Sequence, residues 1–353
     1  MSDFKTLNCG EWSEVYAFFK ILSDRKLNGC DHNLQLLNNE FCHIISIQKK
    51  QQKTNKNLIY SLTGDNIEIS SDTSTTVIPV AVFQKMSLYL LNCIKTNTQR
   101  TFEISQIRDF LSEVGSPEIK APNFEKEDII LTVKEPITKT NQTYGVTIKS
   151  NLGKANSTLL NASKATNFTY SVENANISPC HFALKTKKLL KQIKLAKYIS
   201  MDSEIFHSNL QLIDTQFPEL IAKIVLYYYQ GRGSSIEELI RIIEQENPFN
   251  MANKNVYRVK IGDFLLSIAL GMVPNTKWDL NYTADGGMLV IREDGELASF
   301  YIFKQVLLIE LQEYLITHAY LDTPSTTRHE FGKLYHEEGK TRLKLNLQIR
   351  LAA

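Results

Sequence analysis

Two strand-like runs joined by a polar turn, from Asp128 to Ser150, constrain this chain more than any other stretch. Ile129, Leu131 and Val133 alternate with Ile130, Thr132 and Lys134, and Tyr144-Gly145-Val146-Thr147-Ile148-Lys149 reads as the returning strand. Side chains alternate faces along a strand, so Thr147 and Lys149 share one face while Val146 and Ile148 share the other. Asp128 opens the first strand, and closure of the hairpin brings it beside the second. An acid and a lysine are thereby fixed together on a rigid support. Such a pair serves chemistry, and it also serves an ordinary salt bridge.

The chain has 353 residues, 43% of them hydrophobic, which suits one large domain or two ordinary ones. Its formal net charge is +2, so a nucleic-acid site must come from local clusters of Lys and Arg. The cysteines Cys9, Cys30, Cys42, Cys93 and Cys180 show no CxxC or Cys/His spacing for structural zinc. Reduced thiols are the expectation. The N-terminus carries no basic region followed by an apolar run, and no apolar run reaches membrane-spanning length. A soluble, cytoplasmic protein without a membrane partner is expected.

Asn8-Cys9-Gly10-Glu11 has the form of a capping box, opening a helix that runs to about Lys26. Trp12, Val15, Tyr16, Phe18, Phe19, Ile21 and Leu22 cover more than one stripe of it, which predicts a largely buried helix. The cap accounts for Glu11. Glu14 has no such explanation, and a carboxylate on a buried helix is costly unless it is paired or bound to a metal. Residues 41–72 read as three strands, with the polar run from Lys49 to Lys56 as a turn between the first two. Helices are expected within 78–96 and 104–114, and again near 203–214, 218–229, 235–246, 258–271 and 302–317.

Three segments offer groups for nucleic acid. The loop after the hairpin is rich in Asn, Ser, Thr and Lys, and small polar side chains of that kind suit phosphates and bases. They equally suit a loop that satisfies its own backbone. Residues 181–200 form a basic amphipathic helix with Lys187, Lys191 and Lys194 on one face. In TRLKLNLQIRL, Leu343, Leu345, Leu347, Ile349 and Leu351 fall on one side. Arg342, Lys344, Asn346, Gln348 and Arg350 fall on the other. Arg, Lys, Asn and Gln match guanine and adenine edges in the major groove, and a strand can enter that groove. Asp285-Gly286-Gly287 with Arg292-Glu293 lacks a suitably placed lysine and reads as turn chemistry.

The acid-bearing helix, the acid opening a hairpin and the lysine on its second strand resemble the layout of the PD-(D/E)xK nucleases. Thr147 departs from that pattern, standing where it expects Glu or Asp. More specific are the runs GEWSEVYAFFKIL, KAPNFEKEDIIL, YGVTIKSNLGKANSTLLNASKATNFTY, LDTPSTTRHEFGKLY and KLNLQIR. They resemble the HpaII-type family of type II restriction endonucleases, in the same order and over nearly the whole chain.

That resemblance implies a Mg²⁺-dependent enzyme that cuts both strands of DNA within a short palindrome, CCGG in this family, and a homodimer on the two-fold site. It implies catalysis by Asp128, Lys149 and Glu14 with Thr147 beside them. Asp128 and Glu14 would hold the metal, with Glu11 as second choice. DNA contacts are expected from Ser150, Asn151, Asn161, Ser163, Lys164 and Asn167 after the hairpin. Arg328, His329, Lys344, Asn346, Gln348 and Arg350 would contribute from the C-terminal part. The fold implied is a mixed α/β core of PD-(D/E)xK type, a central sheet flanked by helices, with a helical insertion and a β-rich C-terminal segment. Boundaries are expected at 1–175 for the nuclease core, 176–280 for the helical region and 281–353 for recognition. The missing acid at Thr147 keeps open a DNA-binding protein of the same fold without cleavage, and the hairpin shared across that nuclease superfamily keeps open a structure-specific repair or recombination nuclease.

Overall fold

The structure is a computed structural model and describes residues 6–51, 56–71, 74–116, 127–134, 139–153, 156–172 and 196–352. In chain order the first elements are β1 (Leu7–Asn8), α1 (Cys9–Asp24), β2 (Lys26–Cys30), β3 (Leu36–Gln51), β4 (Lys56–Thr63), β5 (Asn66–Ser70) and β6 (Thr75–Pro79). Next come α2 (Val80–Thr96), β7 (Thr101–Phe102), α3 (Ser105–Glu113), β8 (Ile129–Lys134), β9 (Asn141–Ser150) and β10 (Ser157–Leu160). A 3₁₀ turn (Ser163–Thr166) leads to β11 (Asn167–Val172), β12 (Ala196–Met201), α4 (Glu204–Ile213), α5 (Phe217–Tyr229), α6 (Ile236–Glu246) and α7 (Asn255–Leu270). The chain continues through β13 (Gly287–Ile291), β14 (Leu297–Tyr301), α8 (Gln305–His318) and β15 (Ala319–Leu321). It ends with α9 (Thr326–His329), β16 (Leu334–Glu337), β17 (Lys340–Asn346) and β18 (Ile349–Leu351).

Two compact units result, one of Met1–Ser157 with Tyr282–Leu311 and one of Thr158–Asn281 with Gln312–Ala352. The expected boundary at 280/281 falls one residue from the Asn281/Tyr282 junction, and the other junctions fall at Ser157/Thr158 and Leu311/Gln312. Tyr282–Leu311 returns to the first unit because β13 pairs in parallel with β9.

The first unit is built on a nine-stranded mixed sheet in the order β2-β14-β13-β9-β8-β3-β4-β5-β6. β2 also pairs with β3, so six of these strands close into a ring. β3 makes this possible by its length: its first half pairs with β2, and its second half with β8 and β4. The expected turn from Lys49 to Lys56 is therefore shorter than the polar composition suggested, because β3 continues through Gln51 and β4 begins at Lys56.

α1 covers this sheet as its pattern predicts, with Trp12, Phe18, Phe19, Ile21 and Leu22 buried. Phe19 meets Phe83 of α2 and Phe110 of α3 edge-on, at 5.8 and 5.3 Å between centroids, and Phe18 meets Tyr60 of β4 at 4.9 Å. Edge-to-face contacts of this kind add about 0.5–1.5 kcal/mol each beyond burial. The capping box forms: Asn8 Oδ1 accepts from Glu11 N at 3.0 Å, and Glu11 Oε2 accepts from Asn8 N at 2.8 Å.

The Asp285-Gly286-Gly287 stretch clamps β9. Gly145 N donates to Asp285 Oδ1 at 2.7 Å, and Gly286 N donates to Gly145 O at 2.8 Å. A Cβ on Gly145 would sit 2.5 Å from the Thr283 carbonyl, which is why the second strand of the hairpin carries a glycine there.

In the second unit, helices α4 to α7 accompany two small sheets, β12-β11-β17-β16 and β10-β18-β15. The expected basic helix at 181–200 lies outside the described residues as far as 195. Ala196–Met201 is a strand, antiparallel to β11. The expected single strand 341–351 is two: β17 joins β11, and β18 joins β10 and β15. The break falls at Leu347-Gln348, where Leu347 N donates to the Thr166 carbonyl.

Candidate active site

The hairpin and α1 together place the charged groups. β8 and β9 pair antiparallel with Ile129 opposite Val146 and Leu131 opposite Tyr144. Asp128 stands just before this ladder, and its backbone N donates to Val146 O at 2.9 Å. Its Oδ2 accepts from Ile148 N at 2.6 Å and from Thr147 Oγ1 at 3.1 Å. These bonds fix the carboxylate against β9. Oδ1 has no hydrogen-bond partner among the described residues. Thr147 is 1% exposed, and its hydroxyl serves the Asp128 carboxylate. A hydroxyl donor at this position orients an acid; it does not replace one.

α1 is tied to β9 next to both remaining groups. Ser150 Oγ donates to Ser13 Oγ at 2.9 Å, and Ser13 Oγ donates to the Cys9 carbonyl at 2.8 Å. Cys9 Sγ lies 3.1 Å from the Leu152 carbonyl. Ser13 precedes Glu14 and Ser150 follows Lys149, so the serine bond registers one charged residue against the other. Neither Glu14 nor Lys149 has a hydrogen bond or ion pair with the described residues. Burial first, then the Asp128 carboxylate, pushes the Glu14 carboxyl up to about 8, against the pull of Lys149 and Lys49.

Lys49 of β3 is the residue that sequence reasoning missed. Its ammonium lies 4.6 Å from the centroid of the Phe18 ring, one helical turn from Glu14. Burial pushes it down to about 8, against the pull of Glu14. The available signal was the strand period: Ile47 is fully buried, and Lys49 is two residues on.

Glu11 is held in the cap at the start of α1 and raises Glu14 only through its charge. Among the described residues no group of three or more His, Cys, Asp or Glu side chains could hold an ion together. The centre therefore offers two carboxylates, Glu14 and Asp128. Mg²⁺ takes hard oxygen ligands and commonly uses one or two protein carboxylates, completing its shell with water and substrate phosphate. The donor set fits that ion and does not fit a structural zinc.

The expected DNA contacts separate into three groups. Arg328 and Asn161 are exposed, and Asn151 is half-buried. Lys164, Lys344 and Arg350 are engaged in ion pairs with Glu330 at 2.5 Å, Asp202 at 2.8 Å and Asp322 at 2.7 Å. Ser150, Asn167, His329, Asn346 and Gln348 are buried. Asn346 and Gln348 thus do not lie on an open face of the strand as strict alternation predicted.

Asn346 Nδ2 donates to Ser163 O, Thr166 Oγ1 and Asn167 Oδ1 at 2.8, 3.1 and 2.8 Å. Asn167 Nδ2 donates to Asp202 Oδ2 at 3.0 Å and to His329 O at 2.9 Å. These bonds hold Ser163 in a left-handed backbone conformation, φ 55°. They make the polar loop an ordered support within its unit.

The HpaII restriction endonuclease family model matches residues 8–351. A type II restriction enzyme, HpaII of Haemophilus parainfluenzae, is 36% identical over 361 residues, with 99% of each chain covered. The chain belongs to the HpaII restriction endonuclease family, and so to the type II restriction enzymes. No solved structure matches it.

Proposed function

We propose that this protein cuts both strands of DNA at CCGG by Mg²⁺-dependent hydrolysis of a phosphodiester, using a PD-(D/E)xK-type centre of Asp128, Glu14 and Lys149. The observation that carries this reading is the carboxyl of Glu14 and the ammonium of Lys149, neither with a hydrogen-bond or ion-pair partner among the described residues, near a carboxylate that β9 holds rigid. Family membership and the full-length relative support the activity class. A bound Mg²⁺ supplies Lewis-acid polarisation of the phosphate and a water of lowered pKa. Asp128 and Glu14 would hold it.

The chain's own residues do the rest. Thr147 and the Ile148 amide keep Asp128 pointing one way, so no reorganisation is needed at the moment of reaction. Lys149, on the same strand, presents a positive charge to the developing charge on phosphorus and orients the attacking water. Glu14 supplies the acid that the hairpin lacks at position 147.

A palindromic site suits two copies of the chain related by a two-fold axis, each reading half. Arg328 and Asn161 carry DNA contacts in this reading, because they are the exposed members of the candidate set that are not engaged in an ion pair among the described residues.

Digestion of plasmid DNA tests the proposal. Discrete fragments with Mg²⁺ and none with EDTA are expected, and sequenced fragment ends should all derive from CCGG. Intact DNA under both conditions sinks it. Cleavage of branched DNA irrespective of sequence would favour a repair-type nuclease instead.

A further inference from the structure

A closed ring of hydrogen bonds joins α1 to the end of β9. The Leu152 amide donates to Ser150 Oγ at 3.0 Å, Ser150 Oγ donates to Ser13 Oγ at 2.9 Å, and Ser13 Oγ donates to the Cys9 carbonyl at 2.8 Å. Cys9 Sγ closes the ring on the Leu152 carbonyl at 3.1 Å. A hydroxyl has one proton, and Ser13 gives its own to the helix, so Ser150 is the donor between the two serines. Ser157 holds the other side of Ser150: its Oγ donates to the Ser150 carbonyl at 3.1 Å and accepts from the Ser150 amide at 3.3 Å. At Gly153, φ 88°, the chain passes so near that a Cβ would lie 2.8 Å from Cys9 Sγ.

The ring fixes a register. Residue 9 of α1 meets residue 152, and residue 13 meets residue 150, so helix and strand run past each other in one setting. The next step along each is Glu14 and Lys149, each about 3.8 Å of backbone from a bonded serine. Apolar side chains around α1 tolerate small shifts, whereas a hydrogen bond weakens steeply once its geometry is lost. Both serines are buried, and the Ser150 hydroxyl is engaged twice within its unit, which leaves it turned to α1 rather than to DNA.

We propose that Ser13 and Ser150 are positioning residues of the cutting reaction, which through this ring fix how far the Glu14 carboxyl stands from the Lys149 ammonium. This rests on the reading of Glu14, Asp128 and Lys149 as the cutting centre. A hairpin with Thr147 in place of an acid must take its second acid from another element. That element then has to be registered against β9 as firmly as a residue of the strand would be. A misplacement of about 1 Å between reacting groups can lower a rate by about 10²-fold.

Full-length Ser13→Ala, Ser150→Ala and the double variant test this. Single-turnover cleavage of a CCGG duplex with Mg²⁺ should fall about tenfold or more in each single variant. The double variant should be no slower than the slower single one, because either substitution opens the same ring. Gel-shift affinity for the duplex in Ca²⁺ should stay within about threefold of the wild type, since the loss falls on the chemical step. A readout without metal is thermal unfolding in EDTA, where the two single losses in melting temperature should not add in the double variant. Ser87→Ala is the control for a lost buried hydroxyl: Ser87 of α2 donates to the Gln84 carbonyl, and its variant should melt lower yet cut as the wild type.

Wild-type cleavage by both single variants overturns the proposal, and so does an additive loss of melting temperature. Weaker duplex binding by Ser150→Ala, with Ser13→Ala like the wild type, also overturns it and makes Ser150 a DNA contact. If Glu14→Gln and Lys149→Ala stop cleavage while the serine variants cut normally, only this inference fails. If Glu14→Gln and Lys149→Ala cut normally, the assignment of the cutting centre fails with it.

Discussion

Two polar clusters occupy the two units, and they are built on opposite terms. Around α1 and β9, Glu14 and Lys149 carry charged head groups without hydrogen-bond or ion-pair partners among the described residues, and Asp128 keeps one oxygen open. Around Asn167 and Asn346, amide donors are used to capacity: one Nδ2 reaches three acceptors and the other reaches two. Sequence composition marks both places as polar and suited to DNA. The difference lies in how the donors are used. An amide donor engaged within its own unit is support, whereas a charge held without a partner is stored potential for binding or chemistry.

The sharpest way to break this contrast is at the hairpin. Asp128→Ala and Lys149→Ala should each lower single-turnover cleavage by about 10²–10³-fold. Gel-shift binding to a CCGG duplex should change little. Cleavage within tenfold of the wild type would move the centre elsewhere. The opposite outcome is expected at the second cluster. Asn346→Ala should cost about 1–3 kcal/mol by leaving the Asn167 Oδ1 acceptor without its donor, read as a lower denaturation midpoint. Cleavage per folded molecule should persist. Intact stability with lost sequence discrimination would instead make Asn346 a reader of bases.

A pH series sharpens the same comparison. The Glu14 value of about 8 in the fold lies above its ordinary 4.5, so the folded state favours the protonated acid. Its contribution is complete at low pH and is lost as pH rises from about 4.5 through about 8. Metal-free thermal stability should therefore decline across that window, and Glu14→Gln should flatten the decline. Lys49, lowered to about 8, acts in the other direction and only above that pH. A flat wild-type profile below pH 8 would mean that Glu14 is better solvated than its position indicates. The smallest effect concerns the cap. Asn8→Ala should cost about 1 kcal/mol and lower the melting temperature by a few degrees without changing the pH profile. A changed profile would tie the cap to the Glu14 carboxylate.

The hairpin, the cap and the buried character of α1 were legible because each depends on a short-range period or on three adjacent residues. Glu14 was legible for a related reason, as a charge in a stretch whose neighbours were apolar. Lys49 was not. Its surroundings read as a polar turn, and only the pairing of β3 with β4, Lys49 opposite Leu58, shows that the strand continues through it. Asn346 and Gln348 misled in the reverse sense. Their alternation with leucines is real, but β11 and the 3₁₀ turn cover Asn346 from the polar side. Burial on both faces of a strand is set by what packs over it, and the strand's own sequence does not record that. The place of β13 beside β9 was equally hidden, since the pairing joins segments far apart in the chain.

That last pairing bears on how the protein comes into being. Gly145 and Asp285, 140 residues apart, clamp together at the centre of the sheet. During synthesis β9 can pair with β8 early, but its other edge stays bare until β13 emerges. At ribosomal rates of about 5–20 residues per second, that interval is on the order of ten seconds. The bare edge is an aggregation hazard for that time, and the strand bearing Lys149 lacks one of its two neighbours. A truncated product that stops short of β13 would hold every residue of the cutting centre and still lack the sheet that holds them in place.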